Sequence, residues 1–128
     1  MCDMKKIHTP KAPAAVGPYS QGIVSGNTLY VSGQLPFHAE TMTLVSLEVK
    51  DQTKKSLENI LSIVEAAGFS KEDIVKCTVY MKDLSKFSDM NEAYQTFFGN
   101  HKPARVAIEV SRLPKDVDVE IDAIASKD

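Results

Sequence analysis

Arg105 and Glu120 stand within PARVAIEVSRLPKDVDVEIDAIA, residues 103–125, where apolar and polar residues alternate on both sides of a Leu-Pro pair. A guanidinium offers a planar fork of donors that clamps a carboxylate bidentately, and a nearby glutamate can orient a water or carry its proton. Together the two groups suit hydrolytic chemistry on a small carboxylic acid. Alternation sets Arg105, Ala107 and Glu109 against Val106, Ile108 and Val110 in the first run, and Asp118, Glu120, Asp122 and Ile124 against Val117, Val119, Ile121 and Ala123 in the second. If SRLPKD closes a hairpin, Arg105 faces Glu120 or its diagonal neighbour, with Cβ atoms roughly 5–8 Å apart. The same arrangement describes a cross-strand ion pair on a solvated face, worth less than about 1 kcal/mol. Spacing alone leaves both readings open.

Other reactive side chains are sparse. Cys2 and Cys77 are the only cysteines, which gives no disulfide framework, and Cys77 lies in IVKCTVYM, where alternation groups it with Val75, Val79 and Met81 as a buried thiol. His8, His38 and His101 are scattered, with no Cys or His at ligand spacing, so no metal site is expected. No Gly-rich phosphate loop, internal repeat or low-complexity linker occurs.

These groups need a scaffold, and 128 residues with 43% hydrophobic content are enough for one ordinary core, here expected as a single domain over residues 1–128. With 15 Lys+Arg against 17 Asp+Glu, the net charge of -2 exerts no broad pull on nucleic acid or anionic lipid. The opening MCDMKKIHTPKAPAAVGPY lacks a secretory apolar stretch, and no later run approaches the roughly 18 apolar residues of a membrane span. A soluble, cytoplasmic protein is the expectation.

The first 20 residues, rich in Pro and Ala, read as an extended arm or loop. GIVSGNTLYVSGQLP is a hairpin with strands near 21–25 and 28–33, and HAETMTLVSLEV could hold a short edge strand. From Glu48, the spacing of Leu57, Ile60, Leu61, Val64 and Ala67 predicts a helix stopped by Gly68. A strand over 74–81 follows. KDLSKFSDMNEAYQTFFGN then gives a second helix with Phe87, Met90, Tyr94, Phe97 and Phe98 on one face, Asp83 or Ser85 as cap and Gly99 as stop. Each helix has one apolar stripe, so both should lie on one face of a mainly antiparallel or mixed sheet. The sheet's other face, apolar in part, calls for cover by a second copy.

The segments APAAVGPYSQG, LYVSGQLP, QTKKSLENI, VEAAGFSKEDIVKCTVYMKDLSKFSDMNEAYQTFF and PARVAIEVSRLPKDVDVEIDAIA together resemble the RidA/YjgF family, over about residues 7–125. The closing segment carries the most specific match. The resemblance implies an α+β, chorismate-mutase-like fold assembled as a homotrimer with sheets inward and sites in clefts between subunits. It also implies hydrolysis of 2-imino or 2-enamino acids, released by pyridoxal-phosphate enzymes acting on serine or threonine, to 2-keto acids and ammonia without metal or organic cofactor. On this resemblance Arg105 binds the substrate carboxylate and Glu120 positions or activates water and assists ammonia departure. Tyr19, Ser32, Gly33 and Asn91 line the same pocket. Ala107, where the family often has cysteine, can contribute only backbone groups. Read without the family, Tyr19 could anchor the arm, Ser32 and Gly33 could be turn chemistry, and Asn91 a solvated helix residue.

Two departures stand out. The position before PAR, commonly aromatic in the family, is Lys102, and the loop GNHK is short. Some family members have been described as endoribonucleases, which gives an alternative activity. A non-catalytic trimer that binds keto or imino acids gives another.

Overall fold

Ser25 and Thr28 pair across a two-residue turn in which Gly26 has φ +63°, the left-handed backbone that such tight hairpins require. This turn sits inside a mixed six-stranded sheet in the computed structural model, which describes residues 4–128. The chain runs β1 (Met4–Ile7), β2 (Gly22–Ser25), β3 (Thr28–Gln34), α1 (Val49–Ala66), β4 (Ile74–Met81), α2 (Phe87–Phe98), β5 (Ala104–Glu109) and β6 (Val119–Ser126). The strand order is β1-β2-β3-β6-β4-β5. Cys2 lies outside the described residues.

Both helices pack on one face, as the apolar stripes require. α1 lies over β3 and β6 and beside α2. Leu29, Val31, Cys77, Val79, Met81, Ile121, Ala123 and Ala125 meet them there in one core. α1 ends in a complete Schellman motif: the Phe69 N–H donates to the Val64 carbonyl and the Gly68 N–H to the Glu65 carbonyl, with Gly68 at φ +85°. The buried face of α1 is wider than its apolar stripe. Gln52, Thr53, Ser56 and Asn59 are buried, whereas Leu61 and Ala67 are only partly so. Two of these polar groups fasten loops: the Gln52 Oε1 accepts from the Asp118 and Val119 N–H groups at the start of β6, and the Asn59 Nδ2 donates to the Leu35 and Phe37 carbonyls.

Three expectations need correction. β1 pairs antiparallel with β2, so part of the N-terminal arm is a strand; its alternation is too short and too lysine-rich to stand out. HAETMTLVSLEV forms only an isolated bridge between Phe37 and Leu44. A register shift between Ile74 and Lys76 buries Ile74 and exposes Val75, which therefore does not share the face of Cys77.

The most consequential difference concerns the expected hairpin of the closing segment. β5 and β6 are not neighbours, because β4 lies between them, parallel to β5 and antiparallel to β6. The chain from β4 to β5 passes through α2, and a helical crossover produces a parallel pair. The link from β5 to β6 then straddles the end of β4. At one side the Val110 N–H donates to the Met81 carbonyl, and at the other the Lys82 N–H donates to the Asp118 carbonyl.

Candidate active site

Placing β4 in the middle separates the two charges. Arg105 is in register with Cys77 and so belongs to the helix-covered face, whereas Glu120 is in register with Tyr80 on the open face. They are two strands and three register positions apart, roughly 14 Å by ordinary strand spacings. The expected cross-strand approach of Arg105 and Glu120 on one face is therefore corrected. The remaining candidates divide between these two places.

The first cluster lies at the β5 edge. The Arg105 Nη1 donates to the Asn91 Oδ1 at 2.8 Å, and the guanidinium sits 4.8 Å from the ring centre of Tyr94 and 5.4 Å from that of Phe87. Asn91 and Tyr94 are one turn apart on α2, so the helix presents an acceptor and an aromatic platform together. Among the described residues no carboxylate lies within ion-pair distance of Arg105. The cation is thus oriented by a neutral acceptor and by ring faces, with donors left over for an anion. Ala107 follows on the same face, half-buried, in register with Val79. A cleft of about 370 Å³ opens beside Arg105, Asn91 and Tyr94. Beneath it Cys77 is fully buried, and burial pushes its thiol up to about 11, which leaves it a poor nucleophile at neutral pH.

The second cluster lies on the open face, where β3 meets β6. Val31 pairs with Ala123 but Gln34 with Ile121, so Ser32 and Gly33 form a bulge opposite Asp122. Gly33 is there for space: a Cβ on it would collide with the Glu120 carboxylate and approach Cδ to 3.1 Å. Glu120 is half-buried, and its carboxyl is raised above the usual range by burial first and then by the charge of Asp122. Asp122 accepts a hydrogen bond of 3.0 Å from the Tyr80 hydroxyl. The Ser32 Oγ donates to the Ser20 carbonyl, and the Ser32 N–H donates to the Gln21 carbonyl at 2.9 Å. The segment carrying Tyr19 is therefore tied to the bulge, and the Tyr19 side chain is exposed.

Gln21 was not singled out by spacing, yet it organises that segment. It is buried, accepts from the Thr9 N–H at 2.7 Å, and donates to the carbonyls of Thr9, Ala12 and Pro13. No periodicity marks such a residue. Asp122 and Tyr80 had a weak signal, since both share the period-2 face of Glu120 or its neighbouring strand.

A mixed sheet with two helices on one face, a free edge holding an arginine and a bulge enclosing a glutamate defines an α+β protein of the RidA/YjgF fold. The family model Endoribonuclease L-PSP matches residues 9–127, and the chain belongs to that family. It is 55% identical over 122 residues to a RutC family protein of Pyrococcus horikoshii, covering 95% of this chain and 97% of the relative. It is 50% identical over 124 residues to the 2-iminobutanoate/2-iminopropanoate deaminase of Escherichia coli K12, covering 94% and 96%. The crystal structure of E. coli TdcF with bound serine superposes with a TM-score of 0.93 at 46% identity, covering 97% of this chain and 99% of that one. The E. coli YjgF gene product gives 0.93 at 48% identity, again covering 97% and 99%. Among the described residues no helix is long and apolar enough to cross a membrane.

Proposed function

We propose that this protein is a hydrolytic deaminase that converts 2-imino and 2-enamino acids to 2-oxo acids and ammonia, in sites assembled between copies of the chain. One observation carries the reading: Arg105 is held by Asn91 with no acidic partner among the described residues, while the carboxylate with which it would act, Glu120, lies on the opposite face of its own sheet. Within one copy the pair cannot reach one small substrate. Between copies, the β5 edge of one can meet the open β3–β6 face of the next.

That open face favours such packing. It exposes Tyr30, Val106 and Ile108 and carries the partly buried Ile23 and Ile124. The β5 edge also offers unpaired backbone groups to a neighbour. A closed trimer, the assembly the family resemblance implies, would give three equivalent sites.

The chemistry asks little of the protein, because an iminium carbon is already electrophilic. Arg105 binds the substrate carboxylate and fixes C2 near the water held by Glu120. Glu120 takes a proton from that water as the water oxygen bonds to C2, giving a carbinolamine. The proton then passes to the amino nitrogen, the C–N bond breaks, and ammonia leaves as the new hydroxyl becomes the 2-oxo group and releases its proton. A carboxyl raised by burial and by Asp122 is closer to the range in which it can both accept and return that proton. Ser32 and Gly33 would border the water and nitrogen, with Tyr19 closing the rim. The name of the E. coli relative supports the substrate class. The family's endoribonuclease label has less support, because His8, His38 and His101 sit on separate segments and His101 is engaged with the Ile74 carbonyl.

The test couples the purified protein to a threonine dehydratase supplied with serine or threonine and follows 2-oxo acid release against trapping of the imine by semicarbazide. Faster release with the wild type, lost in Arg105→Ala, is the expected result. Unchanged rates across several imino acids would overturn the deaminase reading.

A further inference from the structure

The cleft beside Arg105 is larger than a carboxylate clamp needs, and its far end is cationic. It runs from Asn91 and Arg105 along α2 to the loop after Gly99, where His101 and Lys102 line it. Among the described residues its lining includes no Asp or Glu, and Gln95 adds a second amide. Among the described residues neither Arg105 nor Lys102 has a carboxylate within ion-pair distance. Two unpaired cations thus share one concave, partly apolar site.

The loop that carries Lys102 is fastened. The His101 N–H donates to the Phe98 carbonyl at 3.2 Å, and the His101 Nε2 donates to the Ile74 carbonyl at 2.7 Å. Its ring also packs edge-on against Phe98, with centroids 5.9 Å apart. Pro103 follows, which biases Lys102 toward extended backbone. Lys102 and Arg105 are three steps apart along the chain, so their Cα atoms are at most about 11 Å apart. Two long side chains on that baseline can hold the two ends of one short diacid.

We infer that Lys102 forms a subsite for a second carboxylate, so that the cleft accepts 2-imino acids of the dicarboxylic class, with Arg105 on the C1 carboxylate and Lys102 on the distal one. This rests on the deaminase reading for turnover, but the anion preference stands on the cleft itself. His101 is a positioning residue that fixes the lysine-bearing loop.

The experiment compares wild type, Lys102→Gln and Lys102→Glu in two assays. One measures kcat/KM for 2-iminosuccinate, generated by an L-aspartate oxidase, against 2-iminobutanoate. The other measures binding of 2-oxoglutarate against 2-oxobutanoate by calorimetry at low and high salt. Lys102→Gln should reduce the dicarboxylate-to-monocarboxylate ratio about five-fold in both assays, and Lys102→Glu should reduce it further. High salt should shrink the wild-type preference. An unchanged ratio in both variants would overturn the subsite. If wild type turns over neither imine, the deaminase reading fails, and the binding ratios still decide whether Lys102 selects a second carboxylate.

Discussion

Arg105 is an exposed cation whose direction comes from Asn91 and two aromatic rings, whereas Glu120 is a half-buried carboxylate packed against a glycine in a bulge. The first cluster orients its guanidinium and leaves donors free for an anion. The second makes its charge harder to hold, through burial and the neighbouring Asp122, which suits the proton transfer proposed for it. Clamping and proton transfer need opposite environments. Separating them on two faces of one sheet lets each be built independently, and the proposed assembly between copies would bring them together.

The strongest disruptions of this comparison remove one half outright. Arg105→Ala should lower kcat/KM for 2-iminobutanoate by about 100-fold, mainly through lost orientation. Glu120→Gln should lower kcat by about 100-fold while 2-oxobutanoate binding, measured by calorimetry, changes little. Equal losses in binding for both variants would erase the division of labour.

A smaller effect is expected from Gly33→Ala. The new Cβ must displace the Glu120 carboxylate, so kcat should fall about ten-fold while circular dichroism and oligomeric size stay as in the wild type. Asn91→Ala leaves Arg105 its aromatic platform but removes its acceptor. KM should rise about five-fold with kcat less affected.

How far the two clusters were legible in the sequence follows from the same contrast. The strands at 22–25, 28–34 and 74–81, both helices and their Gly68 and Gly99 stops follow local rules of alternation, periodicity and capping. Strand adjacency is not local. Arg105 and Glu120 belong to one alternating segment, and its pattern cannot show that a third strand inserts between its halves. A cue existed in the chain order, because a strand, a helix and a strand in succession favour a parallel crossover pair. Gly33 reads as a turn glycine until the carboxylate beside it is seen. The roles suggested for Tyr19, Ser32, Asn91 and Ala107 came from family resemblance, and no spacing rule would have assembled them.

The mildest perturbation tests the electrostatics of the open face. In the proposed mechanism Glu120 must be ionised to accept a proton, so activity should fall as pH drops through its raised pKa. Asp122→Asn removes one of the two causes of that shift, which should move the acid limb of the kcat/KM profile to lower pH. Tyr80 donates to Asp122 from the neighbouring strand, and Lys76 and Tyr30 line the same hollow as Asp122. Tyr80→Phe should move the limb the opposite way, because an Asp122 without its donor repels the Glu120 charge more strongly.

In the proposed mechanism Arg105 of one copy acts with Glu120 of another. Arg105→Ala and Glu120→Gln proteins, each impaired about 100-fold alone, should be unfolded together in equal amounts and refolded, and the mixture assayed for 2-iminobutanoate hydrolysis. Random reassembly into closed oligomers places an intact arginine against an intact glutamate in about a quarter of the sites, so about a quarter of wild-type activity should return. A mixture no more active than its components, despite mixed assemblies being present by native mass spectrometry, would contradict the account.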